Sequence, residues 1–263
     1  MSNKTEEIRE SIRKNYAGVA LQSTGSGCCG SGCCCSGSNV NIEKSSLNIG
    51  YSEEDISNAP SESNMGLGCG NPVAIASLRQ GETVLDLGSG GGFDCFIASK
   101  QVGETGYVIG VDMTPEMIKL ARNNADNGGY GNVEFRLGEI EHLPVADSSV
   151  DVIISNCVIN LSLDKEQVYQ EAYRVLKSGG RLKVSDIAAK APLPDDIRHD
   201  LISISACIGG AAYIDDIKDM MLNAGFHEVK LTEKVYDKTI IDSWLPGKNI
   251  DNYVGSFDIE AIK

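Results

Sequence analysis

The chain has 263 residues, of which 41% are hydrophobic, and a formal net charge of −14. That length suits one large α/β domain with an appendage, or two small domains. The acidic balance disfavours nucleic acid, whose phosphates need stripes of Lys and Arg, and it offers no basic patch to an anionic lipid surface.

The segment MSNKTEEIRESIRKNY is charged and lacks the apolar middle of a signal peptide. No apolar run approaches the roughly 20 residues that span a bilayer. A cytoplasmic protein is expected, with neither a membrane nor a nucleic acid as partner. Thiols stay reduced there, so nine cysteines point to metal, metalloid or redox chemistry before structural disulfides.

Residues 4–16 carry Ile8, Ile12 and Tyr16 at intervals of four, which predicts a short amphipathic helix. GSGCCGSGCCCSGS follows at 26–39. It sets Cys28, Cys29, Cys33, Cys34 and Cys35 in glycine and serine, the composition of a flexible coil that cannot build a core. Residues 40–72 read as loop-rich and close on GLGCGNP. Buried strands are then predicted at 83–87, 106–111, 132–136, 151–155 and 181–185.

Helices alternate with these strands. Thr114 before Pro115 opens one that runs to about Asn124. Asp164 with Gln167 three residues later resembles a capping box, and KSGG at 177–180 is expected to close that helix. After PLPDD, a helix over 214–226 ends at Gly225, and two more strand-like runs follow. The alternation predicts a doubly wound, mostly parallel sheet of seven strands, with a smaller C-terminal α+β region. Three stretches are expected: an N-terminal helix with a cysteine-rich arm (1–45), a core (46–190) and a C-terminal substrate region (191–263).

VLDLGSGGGFDCF (84–96) carries the most chemistry. A strand ends in Asp86 and turns through Gly88, Gly90 and Gly92 into a helix. The glycines let the backbone approach a ligand at the carboxyl edge of the first strand, where doubly wound sheets bind ligands. A dinucleotide loop of the GxGxxG type would need glycine at 93, where Phe93 stands. The spacing D-x-G-x-G-x-G instead resembles the S-adenosylmethionine loop of class I methyltransferases, which have a Rossmann-like fold.

In that family the acidic residue faces the cationic end of the cofactor. Asp112, closing the second strand, is then expected to accept bonds from both ribose hydroxyls. LGEIEHLP (137–144) resembles the adenine loop, with Ile140 against the ring and Glu139 or Glu141 accepting from it. Ser89, Met113 and Asn156 complete the cofactor set that this resemblance implies.

Three single cysteines lie outside the arm and the glycine loop. Cys69 sits in GLGCGNP, Cys157 in SNCVINLS at the carboxyl edge of the fourth strand, and Cys207 in ISACIGGAA. Cys157 stands out by position, because that edge faces the transferable methyl in the class I fold. Cys95, inside the helix after the glycine loop, reads as a small buried hydrophobe.

Together the class I loop, GCGNP, NCVINLS, ACIGGA and the early CC pair resemble an arsenite S-adenosylmethionine methyltransferase, over nearly the whole chain. The resemblance implies that Cys69, Cys157 and Cys207 hold trivalent arsenic, and that Cys28 or Cys29 joins the redox cycle. It implies arsenite or its thiol conjugates as substrate, a thiol reductant of the thioredoxin or glutathione type, and a monomer.

The chemistry agrees. Trivalent arsenic prefers sulfur to oxygen ligands, as soft metals do. It binds three sulfurs in a pyramid and keeps a lone pair, so methyl transfer is mostly positioning and needs no general base. Two other readings use the same residues: a methyltransferase acting on another small molecule, such as a quinone or sterol, and a non-catalytic metalloid-binding protein.

Overall fold

The computed structural model describes residues 3–23, 42–198, 200, 203–204, 207–236 and 248–263. Cys28, Cys29, Cys33, Cys34 and Cys35 lie outside them.

Seven strands form one sheet: β1 (Thr83–Leu87), β2 (Tyr107–Asp112), β3 (Val133–Leu137), β4 (Val150–Asn156), β5 (Leu176–Ala189), β6 (His227–Glu233) and β7 (Val254–Ile262). Their order is β3-β2-β1-β4-β5-β7-β6. The first five are parallel, while β7 runs antiparallel to both β5 and β6. This is the class I methyltransferase arrangement. The order of strand addition switches sides between β1 and β4, and that switch opens a crevice at the carboxyl ends of the strands.

The strands are apolar on both sides because both faces are covered. Leu85, Leu87, Ile153, Leu182 and Val184 share one core with helices α7 (Lys165–Val175) and α9 (Ile214–Ala224). Val84, Val108, Val152 and Ile154 share another with α4 (Pro72–Ala76), α5 (Phe93–Val102) and α6 (Pro115–Gly128). Alternate residues along each strand therefore feed opposite cores, as the two-residue side-chain period requires.

Four sequence expectations are corrected. The N-terminal helix, α1, runs from Asn3 to Ser23 and so extends beyond residue 16. The stretch read as loop holds α2 (Ile42–Asn48) and α3 (Glu53–Asn58), the latter opened by a capping box of Ser52 and Asp55. Third, KSGG does not close a helix. The helix stops at Val175, and Leu176 is already extended and paired with Val150. Gly179, at φ 75°, then lets the new strand shift register before Arg181 pairs with Val152.

Fourth, the predicted capping box at α7 is half formed. Asp164 accepts from the Gln167 N–H, but the Gln167 amide donates instead to the Glu141 carbonyl. A short turn, α8 (Asp195–Arg198), precedes α9. Among the described residues, no helix is long and apolar enough to cross a membrane.

Candidate active site

The carboxyl ends of β1, β2 and β4 border one cleft, which α1 overhangs. Asp86 enters it from β1 at 3% exposure. Burial lifts its carboxyl well above the usual range, and the nearby Asp94 charge adds to the effect. The Cys95 thiol donates to Asp86 at 3.2 Å. Cys95 is thus more than packing: it helps hold this acid.

The loop after Asp86 runs through three left-handed glycines, with Gly88 at φ 73° and Gly90 at φ 50°. A Cβ on Gly88 would lie 2.4 Å from the Val158 side chain. Only glycine meets both conditions there. Gly92 lies behind the cleft, where a Cβ would strike Phe135. Ser89 lines the cleft, and its Oγ is the buried side-chain polar atom left without a partner among the described residues. Such an orphan costs roughly 1–3 kcal/mol unless a ligand satisfies it.

Asp112 closes β2 and accepts the N–H of Gly90 at 3.0 Å and that of Thr114 at 2.8 Å, one on each oxygen. Those bonds lock the carboxylate in direction, and it lines the cleft. Thr114 is the N-cap of α6 by position, although its own side chain makes no capping bond. Met113, Ile140 and Glu141 also face the cleft. Glu139 instead faces Arg13 of α1, whose guanidinium donates to it at 2.7 Å. Glu141 accepts from Ser162 at 2.6 Å and lies 3.8 Å from Arg9.

Beside the cleft the three core cysteines converge. Cys69, Cys157 and Cys207 belong to one buried cluster, all under 8% exposed. The sulfurs of Cys69 and Cys157 and a carboxylate oxygen of Asp186 lie within 4.8 Å of one another. The Cys207 thiol donates to the Cys157 carbonyl at 2.7 Å. Hydrogen bonds that the Cys157 thiol donates toward Cys207 and Cys69, then burial, hold it well above its usual pKa, and burial raises that of Cys69. Cys157 also lines the cleft, so it belongs to both sites.

Cys157 and Cys207 have φ of 59° and 63°. Left-handed backbone is uncommon for a residue with a side chain, costs on the order of 1–3 kcal/mol, and concentrates where function demands it.

Asn156 joins the two sites. Its Oδ1 accepts the Cys69 N–H at 3.1 Å. Its amide donates to the Gly70 carbonyl, the Tyr51 hydroxyl and Asp94. Tyr51 in turn donates to Asp94 at 2.6 Å, and burial pushes Asp94 up to about 6.

Tyr51, Asp94, Ser162, Tyr16 and Asp186 were not anticipated from sequence. Asp94 had a signal, an acid in the first turn after a glycine loop. So did Asp186, an acid inside an apolar strand. Tyr16 comes from α1. Burial, and then the cysteine charges of Cys207 and Cys157 and that of Asp112, place its hydroxyl well above its ordinary pKa, between the cleft and the thiols.

The parallel sheet, the glycine loop and the acid on β2 define a class I methyltransferase. Residues 78–236 match the family model described as a methyltransferase domain. An arsenite methyltransferase from Halobacterium salinarum is 47% identical over 264 aligned positions, covering 98% of this chain and 67% of that protein. The mouse (Mus musculus) arsenite methyltransferase is 35% identical over 86% of this chain and 59% of its own length. The crystal structure of an arsenic (III) S-adenosylmethionine methyltransferase from Chlamydomonas reinhardtii superposes with a TM-score of 0.63 at 34% identity, covering 84% of this chain and 73% of that one. The chain belongs to the arsenite methyltransferase family, although it spans only 59–67% of the length of these two curated relatives.

Proposed function

We propose that this protein transfers methyl groups from S-adenosylmethionine to trivalent arsenic held on Cys69, Cys157 and Cys207. One observation carries the reading. Cys157 lines the cleft that holds Asp86, Ser89 and Asp112, and it also belongs to a buried group of three thiols.

The cleft fits the cofactor. The Ser89 hydroxyl lacks a partner, and Asp112 is aimed by two backbone N–H groups. Asp86 and Asp94 are buried acids whose charge a cation would stabilise. Asp112 would hold the ribose hydroxyls, Ile140 the adenine face, and Asp86 with Asp94 the cationic end. S-adenosylmethionine supplies an electrophilic methyl group.

Arsenous acid is neutral at pH 7, so the acidic surface does not repel it. Its three hydroxyls exchange for the three thiols, and each thiol proton leaves with a hydroxyl as water. Because Cys157 lines the cleft, arsenic held there would turn its lone pair toward the cofactor, take the methyl carbon as the sulfonium S–C bond breaks, and leave S-adenosylhomocysteine. No proton has to be removed, so the raised thiol pKa values impede only the exchange. Methylation leaves arsenic pentavalent. Two thiolates then supply two electrons and join as a disulfide, which returns methylated trivalent arsenic.

Cys28 or Cys29 serves as a partner in that disulfide, and a thioredoxin- or glutathione-type reductant reopens it in a reducing compartment. The test is methylation of arsenite with labelled donor, followed by product speciation. Catalytic formation of methylated arsenic supports the reading. Stoichiometric uptake of arsenic without a methylated product would reduce the protein to a binder. Replacing all five arm cysteines by serine should slow multiple turnover at limiting arsenite and spare cofactor binding. An unchanged rate would remove the arm from the chemistry.

A further inference from the structure

The thiol cluster contains a donor that arsenic chemistry does not use. Asp186 is 2% exposed, at the level where β4 ends and β5 continues. It accepts the N–H groups of Ile159 at 3.0 Å and Ile187 at 2.7 Å and the amide of Asn160 at 3.0 Å. Those three bonds fix its direction and leave one of the roughly four lone-pair positions of a carboxylate unfilled. One of its oxygens lies within 4.8 Å of both the Cys69 and the Cys157 sulfur. Cys207 adjoins Cys157, its thiol donating to the Cys157 carbonyl at 2.7 Å.

Two sulfurs and one oxygen from separate elements converge within 4.8 Å, and the Cys207 thiol, held on the Cys157 carbonyl, is a fourth donor that has to turn inward to join them. Trivalent arsenic takes three donors and reserves its remaining direction for a lone pair. Zinc takes four, tetrahedrally, at about 2.3 Å from sulfur and 2.0–2.2 Å from carboxylate oxygen. Those bonds put the donors roughly 3.5–3.8 Å apart, a contraction of at most about 1 Å for Cys69, Cys157 and Asp186, whose donor atoms lie within 4.8 Å of one another.

We infer that Cys69, Cys157, Cys207 and Asp186 form a tetrahedral site for thiophilic divalent d10 cations, zinc and cadmium. Such a cation competes with arsenite for the same sulfurs and gives a dead-end complex. Three thiolates and a carboxylate leave a divalent ion two negative charges in excess. Two lysines offset that excess: Lys165 acts on Asp186 and Cys207, and Lys234 acts on Cys69. Each thiol gives up its proton to solvent as it binds. With no lone pair on the ion to attack the methyl carbon, nothing is transferred. The inference rests on the donor geometry alone, so it stands or falls independently of arsenic methylation.

The test uses the full chain with Cys28, Cys29, Cys33, Cys34 and Cys35 changed to serine, reduced and titrated with cadmium chloride. One equivalent should produce the sulfur-to-cadmium absorption band, and stoichiometric arsenite should abolish it. X-ray absorption should count three sulfurs and one oxygen. Asp186→Asn should weaken cadmium binding tenfold or more while changing arsenite affinity less than threefold. In the parent protein carrying 13C-labelled aspartate, cadmium should shift one carboxylate infrared band, and this holds whether or not the variant folds. No band at one equivalent, a band indifferent to saturating arsenite, a shell without oxygen or an unmoved aspartate carboxylate would each overturn the site. So would equal cadmium affinity in a folded Asp186→Asn protein.

Discussion

The cofactor cleft and the thiol cluster meet at Asn156 but are built differently. The cleft is local. Asp86, Gly88, Ser89 and Gly90 follow one another along the chain, and Asp112 hydrogen-bonds back to Gly90. Its geometry is dictated by a strand, a turn and the start of a helix. The thiol cluster is assembled from stretches far apart in sequence, held by Asn156 on Cys69 and by the Cys157 carbonyl on Cys207. It also carries two cysteines in left-handed backbone. A binding pocket for a common cofactor can be written in a dozen consecutive residues, whereas a pyramid of sulfurs needs the whole fold to close.

If the two sites are separable, substitutions should divide between them. The largest effect is expected at Cys157. Serine is nearly isosteric but a hard oxygen ligand, so Cys157→Ser should cut arsenite methylation by more than about a hundredfold, since soft arsenic selects thiolate. Calorimetry should find S-adenosylmethionine affinity unchanged. Appreciable activity in that variant would rule out the ligand role. Asn156→Ala should break the division, because it removes partners from Cys69, Gly70, Tyr51 and Asp94 together. A loss of roughly 1–3 kcal/mol in stability is expected for buried groups left unpaired. Arsenite and cofactor binding should both weaken, and weakening of only one would show that Asn156 is no bridge.

Asp112→Ala should weaken cofactor binding by about tenfold or more, as befits roughly 1–3 kcal/mol for lost hydrogen bonds, and leave arsenite binding intact in a folded protein. A smaller effect comes from pH. Burial pushes Asp94 up to about 6 and Asp86 higher than its usual range. A cationic ligand favours their ionised forms, so binding should release protons. Affinity for S-adenosylmethionine should fall as pH drops through about 6, and Asp94→Asn should flatten that decline. Equal heats of binding in buffers of different ionisation enthalpy would contradict proton release. The smallest effect belongs to Cys95→Ser, which keeps a donor for Asp86 and should shift cofactor affinity less than about twofold; Cys95→Ala, which removes the donor, should shift it more.

The same contrast governs how much the sequence disclosed. The five parallel strands and the glycine turn were legible because apolar runs and glycine spacing are local signals. Asp86 followed from that turn, Asp112 from the end of the next strand, and Ser89 from the family resemblance. The extra turns of α1 were missed because Gly18 interrupts its apolar period, and the short helices before residue 72 because Gly50, Pro60 and Gly66 divide that stretch into runs too short to show one. KSGG misled because a glycine pair ends helices and also permits strand bulges, and only the pull of Leu176 into the sheet decides between them. Tyr51 was illegible as a site residue, and Asp186 showed only as an acid inside an apolar strand: their roles depend on which side chains lie across from them, and no spacing records that.

The scattered origin of the three sulfurs has a further consequence, for folding. Until β4 and β5 are paired there is no pyramid, only a chain of nine soft nucleophiles. A ligand that binds the unfolded state as well as the native one stabilises the native state by less than its affinity would suggest. Arsenite is such a ligand here, since any two or three thiols of an unfolded chain can chelate it. Under the proposed function, burying Cys69, Cys157 and Cys207 gives the folded chain one ordered way to hold arsenite, while an unfolded chain meets it as a crosslinker that joins wrong pairs of cysteines. Refolding from denaturant should therefore slow as arsenite is added, which makes the proposed substrate a hazard to folding.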